Sequence, residues 1–178
     1  MVIPLPYLFL IAIVLGVAAV FVWSARTRVT TPPPAVAMVM QRITFPGGIH
    51  VSDPQSALVR TERPDEIVIP FEQAVLVIDY PLSHPATIPI TAPLPLGFTR
   101  ASLITTICDE YAQIYEAEEG TANTKTIPIE ERGLQVARNR TDGAYGIWGK
   151  DLQDLVLTAA HWTRESDGTV KIQLHLQR

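Results

Sequence analysis

Apolar side chains recur at three- and four-residue spacing over one long stretch, Gly97 to Glu119 (GFTRASLITTICDEYAQIYEAEE). Leu103, Ile104, Ile107, Cys108, Tyr111, Ile114 and Tyr115 share one face of the helix this spacing predicts. Thr99 stands where an N-cap belongs, and Gly120 where the helix would stop. The opposite face carries Asp109, Glu110, Gln113, Glu116 and Glu119. Acids near a helix C-terminus oppose its macrodipole by about a few tenths of a kcal/mol each. They read as a solvated face, with a functional acidic patch as the alternative.

The flanking segments read as strands. Ile67 to Ile69 and Ala74 to Tyr80 (AVLVIDY) are predicted strands, the second buried on both faces or in mid-sheet. Pro81, Pro85, Pro89, Pro93 and Pro95 then restrict PLSHPATIPITAPLPLG to loop or edge strand, since proline cannot donate to a central ladder. Upstream, Pro46-Gly47-Gly48 and Asp53-Pro54 punctuate Val39 to Val59 as turns between short strands. Downstream, Leu134 to Ala137 is expected as a short strand. Asp151 and Asp154 suit the first turn of a second, shorter helix with Leu152, Leu155, Val156 and Ala159 as its stripe. A hairpin ends the chain: Ala160 to Arg164, a turn at Ser166-Asp167-Gly168, then Val170 to Gln177. There Val170, Ile172, Leu174 and Leu176 point inward, and Lys171, Gln173, His175 and Gln177 outward.

At the other end, Ile3 to Trp23 (IPLPYLFLIAIVLGVAAVFVW) carries no charge. A membrane-spanning helix needs roughly 20 such residues. Pro4 and Pro6 fit its start, and Tyr7 and Trp23 its two interfaces. No Lys or Arg precedes the apolar run and the run is long for a signal peptide, which favours a retained anchor over cleavage after Ser24. Arg26 and Arg28 follow it directly, so the positive-inside rule places the C-terminal bulk on the cytosolic side. Thr30 to Ala37 (TTPPPAVA) is a stiff extended spacer. The expected layout is therefore an anchor at 1–25, a proline-rich linker at 26–38 and a domain at 39–178.

Composition narrows the chemistry. The 178 residues leave room for one domain plus an extra element. A net charge of −4 and a pI near 5.5 argue against a nucleic-acid surface. The single cysteine, Cys108, excludes an intrachain disulfide, fits a reducing compartment, and falls on the buried helix stripe. On the cytosolic side the Asn139-Arg140-Thr141 sequon is unused.

His50, His84, His161 and His175 have no second histidine or cysteine at ligand spacing, and no metal or cofactor is expected. Asp142, Asp151 and Asp154 form a small acidic cluster that helix capping explains without a cation. No GxSxG elbow, Walker loop, dinucleotide fingerprint or HExxH string is present, and no catalytic residue is assigned. The most distinctive string is Tyr145-Gly146-Ile147-Trp148-Gly149-Lys150-Asp151-Leu152. Its glycines force tight turns around two large aromatics. Core anchoring of Tyr145 and Trp148 is one reading. Ligand or partner contact by Tyr145, Trp148, Lys150 and Asp151 is the other.

Three strings taken together, Ile78-Asp79-Tyr80-Pro81-Leu82, Gly97-Phe98-Thr99-Arg100 with its helix, and Tyr145 to Leu155 (YGIWGKDLQDL), resemble an uncharacterised protein group of nucleocytoplasmic large DNA viruses. The similarity spans residues 75–160. In that group a histidine follows the GIWG tetrapeptide, where this chain has Lys150, which speaks against a catalytic histidine there. The resemblance implies a viral source and a virion context, not a mechanism.

The sequence thus predicts an N-terminal transmembrane helix and an α+β domain. In that domain a main helix and a shorter one pack on a mixed or antiparallel sheet ending in a C-terminal hairpin. The expected role is non-enzymatic. The chain would be a single-pass membrane protein, in a virion membrane on the viral reading, tethering a capsid or assembly component. The alternatives are a binding module released by cleavage, or an enzyme using the loop around Tyr145 and Trp148.

Overall fold

The computed structural model describes residues 40–134 and 137–177. The expected anchor and spacer lie outside the described residues, as do Gln135 and Val136 of the expected Leu134–Ala137 strand. Among the described residues no helix is long and apolar enough to cross a membrane.

In chain order the elements are β1 (Met40–His50), α1 (Pro54–Arg60), β2 (Ile67–Ile69), β3 (Gln73–Ile78), β4 (Ala86–Thr91), β5 (Phe98–Thr99), α2 (Arg100–Thr121), β6 (Val156–Arg164) and β7 (Val170–Leu176). Single 3-10 turns at Ile129–Glu131 and Leu152–Asp154 interrupt the long connection after α2. The fold is α+β, with two helices and a mixed five-stranded sheet ordered β1-β6-β7-β3-β4. All its pairings are antiparallel except β3 with β7. A two-stranded ladder joins β2 to β5.

α2 begins as its sequence predicts. The Thr99 hydroxyl oxygen accepts from the Ser102 N–H at 3.1 Å, satisfying one of the helix's open donors. Every residue of the apolar stripe from Leu103 to Tyr115 is buried, in one cluster with Leu76, Ile78, Leu157, Trp162 and Ile172 of the sheet. Leu103, Ile104 and Ile107 have no exposed surface, and each contributes about 2–3 kcal/mol by burial. The helix runs through Gly120 and ends at Thr121, one residue beyond the expected stop.

β3 is an interior strand between β7 and β4, and β4, which carries Pro89, forms the sheet edge. The C-terminal hairpin pairs as predicted, with Trp162 opposite Ile172. Val170 and Ile172 are buried, whereas Leu174 and Leu176 are half-buried.

Two sequence expectations are overturned. The shorter helix does not lie at 151–159: Leu152–Asp154 is one 3-10 turn, and Val156 onward is β6, paired to β1 on one side and β7 on the other. Leu155 and Leu157 alternate with the half-buried Val156, a two-residue period that two neighbouring strands select over a helical stripe. The shorter helix is α1 instead. Asp53-Pro54, expected as a turn, is an N-cap followed by proline in the first helical turn, with Asp53 Oδ1 accepting from the Ser56 N–H at 3.1 Å. β1 is likewise one strand, not two. Its Pro46-Gly47-Gly48 turn is absorbed as a bulge between Thr44 and Ile49.

On the face of the sheet turned from α2, strand pairing brings together two histidines that sequence spacing keeps apart. His175 Nε2 lies 2.9 Å from His161 Nδ1. Burial, with His175 and Arg42 nearby, holds His161 below the usual histidine range.

Candidate interaction site on the Thr141–Asp151 loop

The long connection after α2 is organised by a side chain that periodicity alone does not single out. Glu118, in the last turn of α2, is fully buried. Its Oε1 accepts from the Thr141 hydroxyl at 2.6 Å, the Gly143 N–H at 2.8 Å and the Ile147 N–H at 3.4 Å. Its Oε2 accepts from the N–H groups of Tyr145 at 2.7 Å and Gly146 at 3.0 Å. One carboxylate thus gathers the donors of a loop that has no ladder to use them. Burial alone would raise the Glu118 pKa, but the Thr141 hydroxyl and the Tyr145, Gly143 and Gly146 N–H groups outweigh it and bring it down to about 2. The close approach requires glycine at 143, where a Cβ would stand 2.7 Å from the Glu118 carboxylate.

The loop is also tied to the end of β3. Leu82 and Ile147 form an antiparallel bridge, and Ser83 donates from Oγ to the Gly146 carbonyl at 2.8 Å. Ile147 is fully buried, and Tyr145 is half-buried against the core. Trp148 is different. Its N–H donates to the Pro81 carbonyl at 3.2 Å, and its ring stands edge-on to Tyr80 with centroids 5.5 Å apart. Even so, the residue is 42% exposed. Tyr80 is in turn backed by Tyr111, whose hydroxyl donates to the Tyr80 carbonyl at 2.9 Å.

A second polar cluster fixes the loop's other end. Arg132 makes a bidentate pair with Asp151 at 2.5 and 2.9 Å, and Arg138 approaches Asp151 at 3.5 Å and Glu119 at 3.4 Å. The Arg138 guanidinium lies 5.2 Å from the centre of the Tyr115 ring, and the Tyr115 hydroxyl donates to the Lys150 carbonyl at 2.9 Å. The Arg132 guanidinium is the main reason the Asp151 carboxyl sits below its ordinary range. Asp154 accepts from the Asp151 N–H at 3.0 Å, the capping role expected of that pair. Asp142 is occupied with the Thr124 N–H at 2.6 Å.

The four predicted contact residues therefore share one loop but have different surroundings. Tyr145 packs inward, Asp151 is engaged by two arginines, Lys150 is half-buried with its carbonyl bonded, and Trp148 presents its ring to solvent. Among the described residues no group of three or more His, Cys, Asp or Glu side chains could hold a metal ion. Sequence reasoning missed Glu118, Arg132 and Arg138. The available signal for Glu118 was its position four residues after Ile114 and three after Tyr115, on the edge of the apolar stripe.

No protein-family model matches the chain, no curated protein matches it, and no solved structure matches it.

Proposed function

We propose that this chain is a non-enzymatic, single-pass membrane protein whose α+β domain stands on the cytosolic side and tethers a protein partner through the Trp148 loop. The observation that carries this reading is an exposed tryptophan on a loop whose backbone is held at both ends by buried charge. Tryptophan is enriched among the residues that dominate binding energies, and a fixed presentation lowers the ordering cost of association. The uncharged Ile3–Trp23 run and the arginines after it support the membrane placement. A viral source, implied by the resemblance, makes a capsid or assembly component the partner to look for.

The test joins two measurements. Full-length protein is expected to stay in the membrane at full mass through carbonate extraction. A photo-crosslinking amino acid at position 148 is expected to give one discrete adduct with an assembly component, and Trp148→Ala to abolish co-purification of that component without lowering the melting temperature. A soluble product beginning near Ala25 would remove the anchor. Unchanged co-purification by Trp148→Ala would remove the loop from the interface.

A further inference from the structure

A cleft on another part of the domain has the chemistry of an oxyanion site. Its volume is about 300 Å³, and its floor is formed by Phe45, Ile49 and Ala57. The Pro46-Gly47-Gly48 bulge makes one wall. Gly48 has φ +70, and a Cβ there would meet Val156 Cγ1 at 2.4 Å, so the wall depends on glycine to lie flat on β6. Three of the chain's 14 basic residues line the cleft: Arg60 from the last turn of α1, Arg63 from the loop after it, and Arg100 from the first turn of α2. They gather here although the chain as a whole carries a net charge of −4.

None of the three has its charge fully used. Arg60 donates from Nε to the Ser56 carbonyl at 3.1 Å and forms no ion pair among the described residues. Arg63, held at φ 51, pairs with Glu66 at 3.1 Å, but its side chain is 73% exposed, so the pairing is weak and exchangeable. Arg100 holds Glu66 at 2.6 Å and reaches the Thr44 carbonyl only at 3.4 Å, while its Nε is buried without a partner. An under-satisfied buried cation calls for a neighbouring anion. Glu66, which is not among the lining residues, answers two of the three guanidiniums, and Glu62 is the carboxylate that lines the cleft.

We infer that this cleft binds a phosphomonoester. Its oxygens match the forked guanidinium donors, its carbon substituent can lie on the Phe45–Ile49–Ala57 floor, and the volume admits a headgroup-sized ligand but not a folded partner. A soluble metabolite and a lipid headgroup both carry this chemistry. Trp148 is not among the residues lining the cleft, so Trp148→Ala leaves binding there unchanged whatever it does to partner capture.

The test uses the full chain in neutral detergent, following the backbone amide resonances of Gly47, Gly48 and Arg63. Inorganic phosphate and glycerol phosphate are titrated against acetate. The same chain is also placed in phosphatidylcholine nanodiscs with and without phosphatidic acid. Saturable shifts are expected with phosphate or with phosphatidic acid and not with acetate. The Arg60→Gln/Arg63→Gln pair should weaken binding about tenfold or more, and Glu62→Gln should tighten it. Shifts with the soluble phosphates assign a soluble ligand, and shifts only with phosphatidic acid assign a headgroup. Absence of shifts in both arms overturns the inference. So do equal shifts with acetate, or shifts that survive in the double variant. Both arginines are exposed, so the double variant should keep the wild-type melting temperature; if it does not, Arg63→Gln alone serves.

Discussion

Replacing Glu118 by glutamine keeps the shape of the side chain and removes only the second acceptor oxygen. In the folded domain that oxygen is indispensable. If the new amide group takes the place of Oε2, it faces the N–H groups of Tyr145 and Gly146. If it takes the place of Oε1, it faces those of Gly143 and Ile147. The Thr141 hydroxyl can turn to the Ile147 carbonyl at 3.3 Å, but a backbone N–H cannot turn away. Either orientation strands two donors, one buried and one half-buried, at about 1–3 kcal/mol each, for a total of about 2–6 kcal/mol. That is a large share of the roughly 5–15 kcal/mol expected of a whole domain.

Urea unfolding followed by circular dichroism measures the global part of this loss. Hydrogen exchange at the Tyr145 and Gly146 amides measures the part confined to the loop. The sign of the pH dependence follows from the carboxyl's position. Its folded value, about 2, lies below the ordinary 4.5, so its contribution is complete above pH 4.5 and is lost as pH falls toward 2. The stability gap between wild type and Glu118→Gln should therefore close over that window. Asp53, Glu66, Glu119, Asp142, Asp151 and Asp167 are also held low, so both proteins keep other acid sensitivity, and the difference between them isolates Glu118. A variant within about 1 kcal/mol of wild type, with unchanged protection at Tyr145 and Gly146, would refute the role assigned to this carboxylate.

Asp151→Ala should cost about 3–5 kcal/mol, because it leaves the side chains of Arg132 and Arg138, only 4% and 6% exposed, without their shared carboxylate. The same truncation at Glu165, whose pair with Lys171 is far more exposed, should change urea stability by less than about 1 kcal/mol, and equal losses would contradict the burial argument. Cys108 is 2% exposed, and burial with Asp109 nearby pushes its thiol up to about 12, so a thiol reagent should modify it only in urea-unfolded protein. Rapid labelling in native buffer would show that α2 opens far more readily than its packing implies.

Where a pattern is enforced by one neighbour, the sequence displays it plainly. α2 covers a single sheet face, so its stripe from Leu103 to Tyr115 keeps a strict helical period. β7 has one covered face, so Val170 and Ile172 alternate with polar residues. β6, paired on both edges as β7 is, resists the same reading because its alternation is broken. Ala159 and Ala160 are both fully buried, and the bulge at Leu157–Ala159 breaks the alternation, leaving apolar spacings that mimic a helical stripe. α1 is hidden for a different reason. Seven residues with one buried side chain, Ala57, carry too little periodicity, although Asp53-Pro54 is a chemical start signal.

At the candidate site the informative residues are acids whose place on the helix is locally unfavourable. Glu119 lies on the predicted outer face, and Glu118 immediately beside it on the stripe's edge. Both stand where the helix's own carbonyls repel a carboxylate. In the folded chain neither is simply solvated. Glu118 takes five donors from residues 141–147, and Glu119 takes the Thr126 N–H and hydroxyl and approaches Arg138. The local cost of about a few tenths of a kcal/mol per acid is small beside what each carboxylate gains from a distant loop. A carboxylate kept in an unfavourable helical position is thus a sign that its partners come from elsewhere in the chain. For Glu118 those partners are chiefly the backbone N–H groups of the glycine-rich loop that holds Trp148 at the surface. The loop's order and the tryptophan's exposure therefore have one origin, and losing Glu118 should release both.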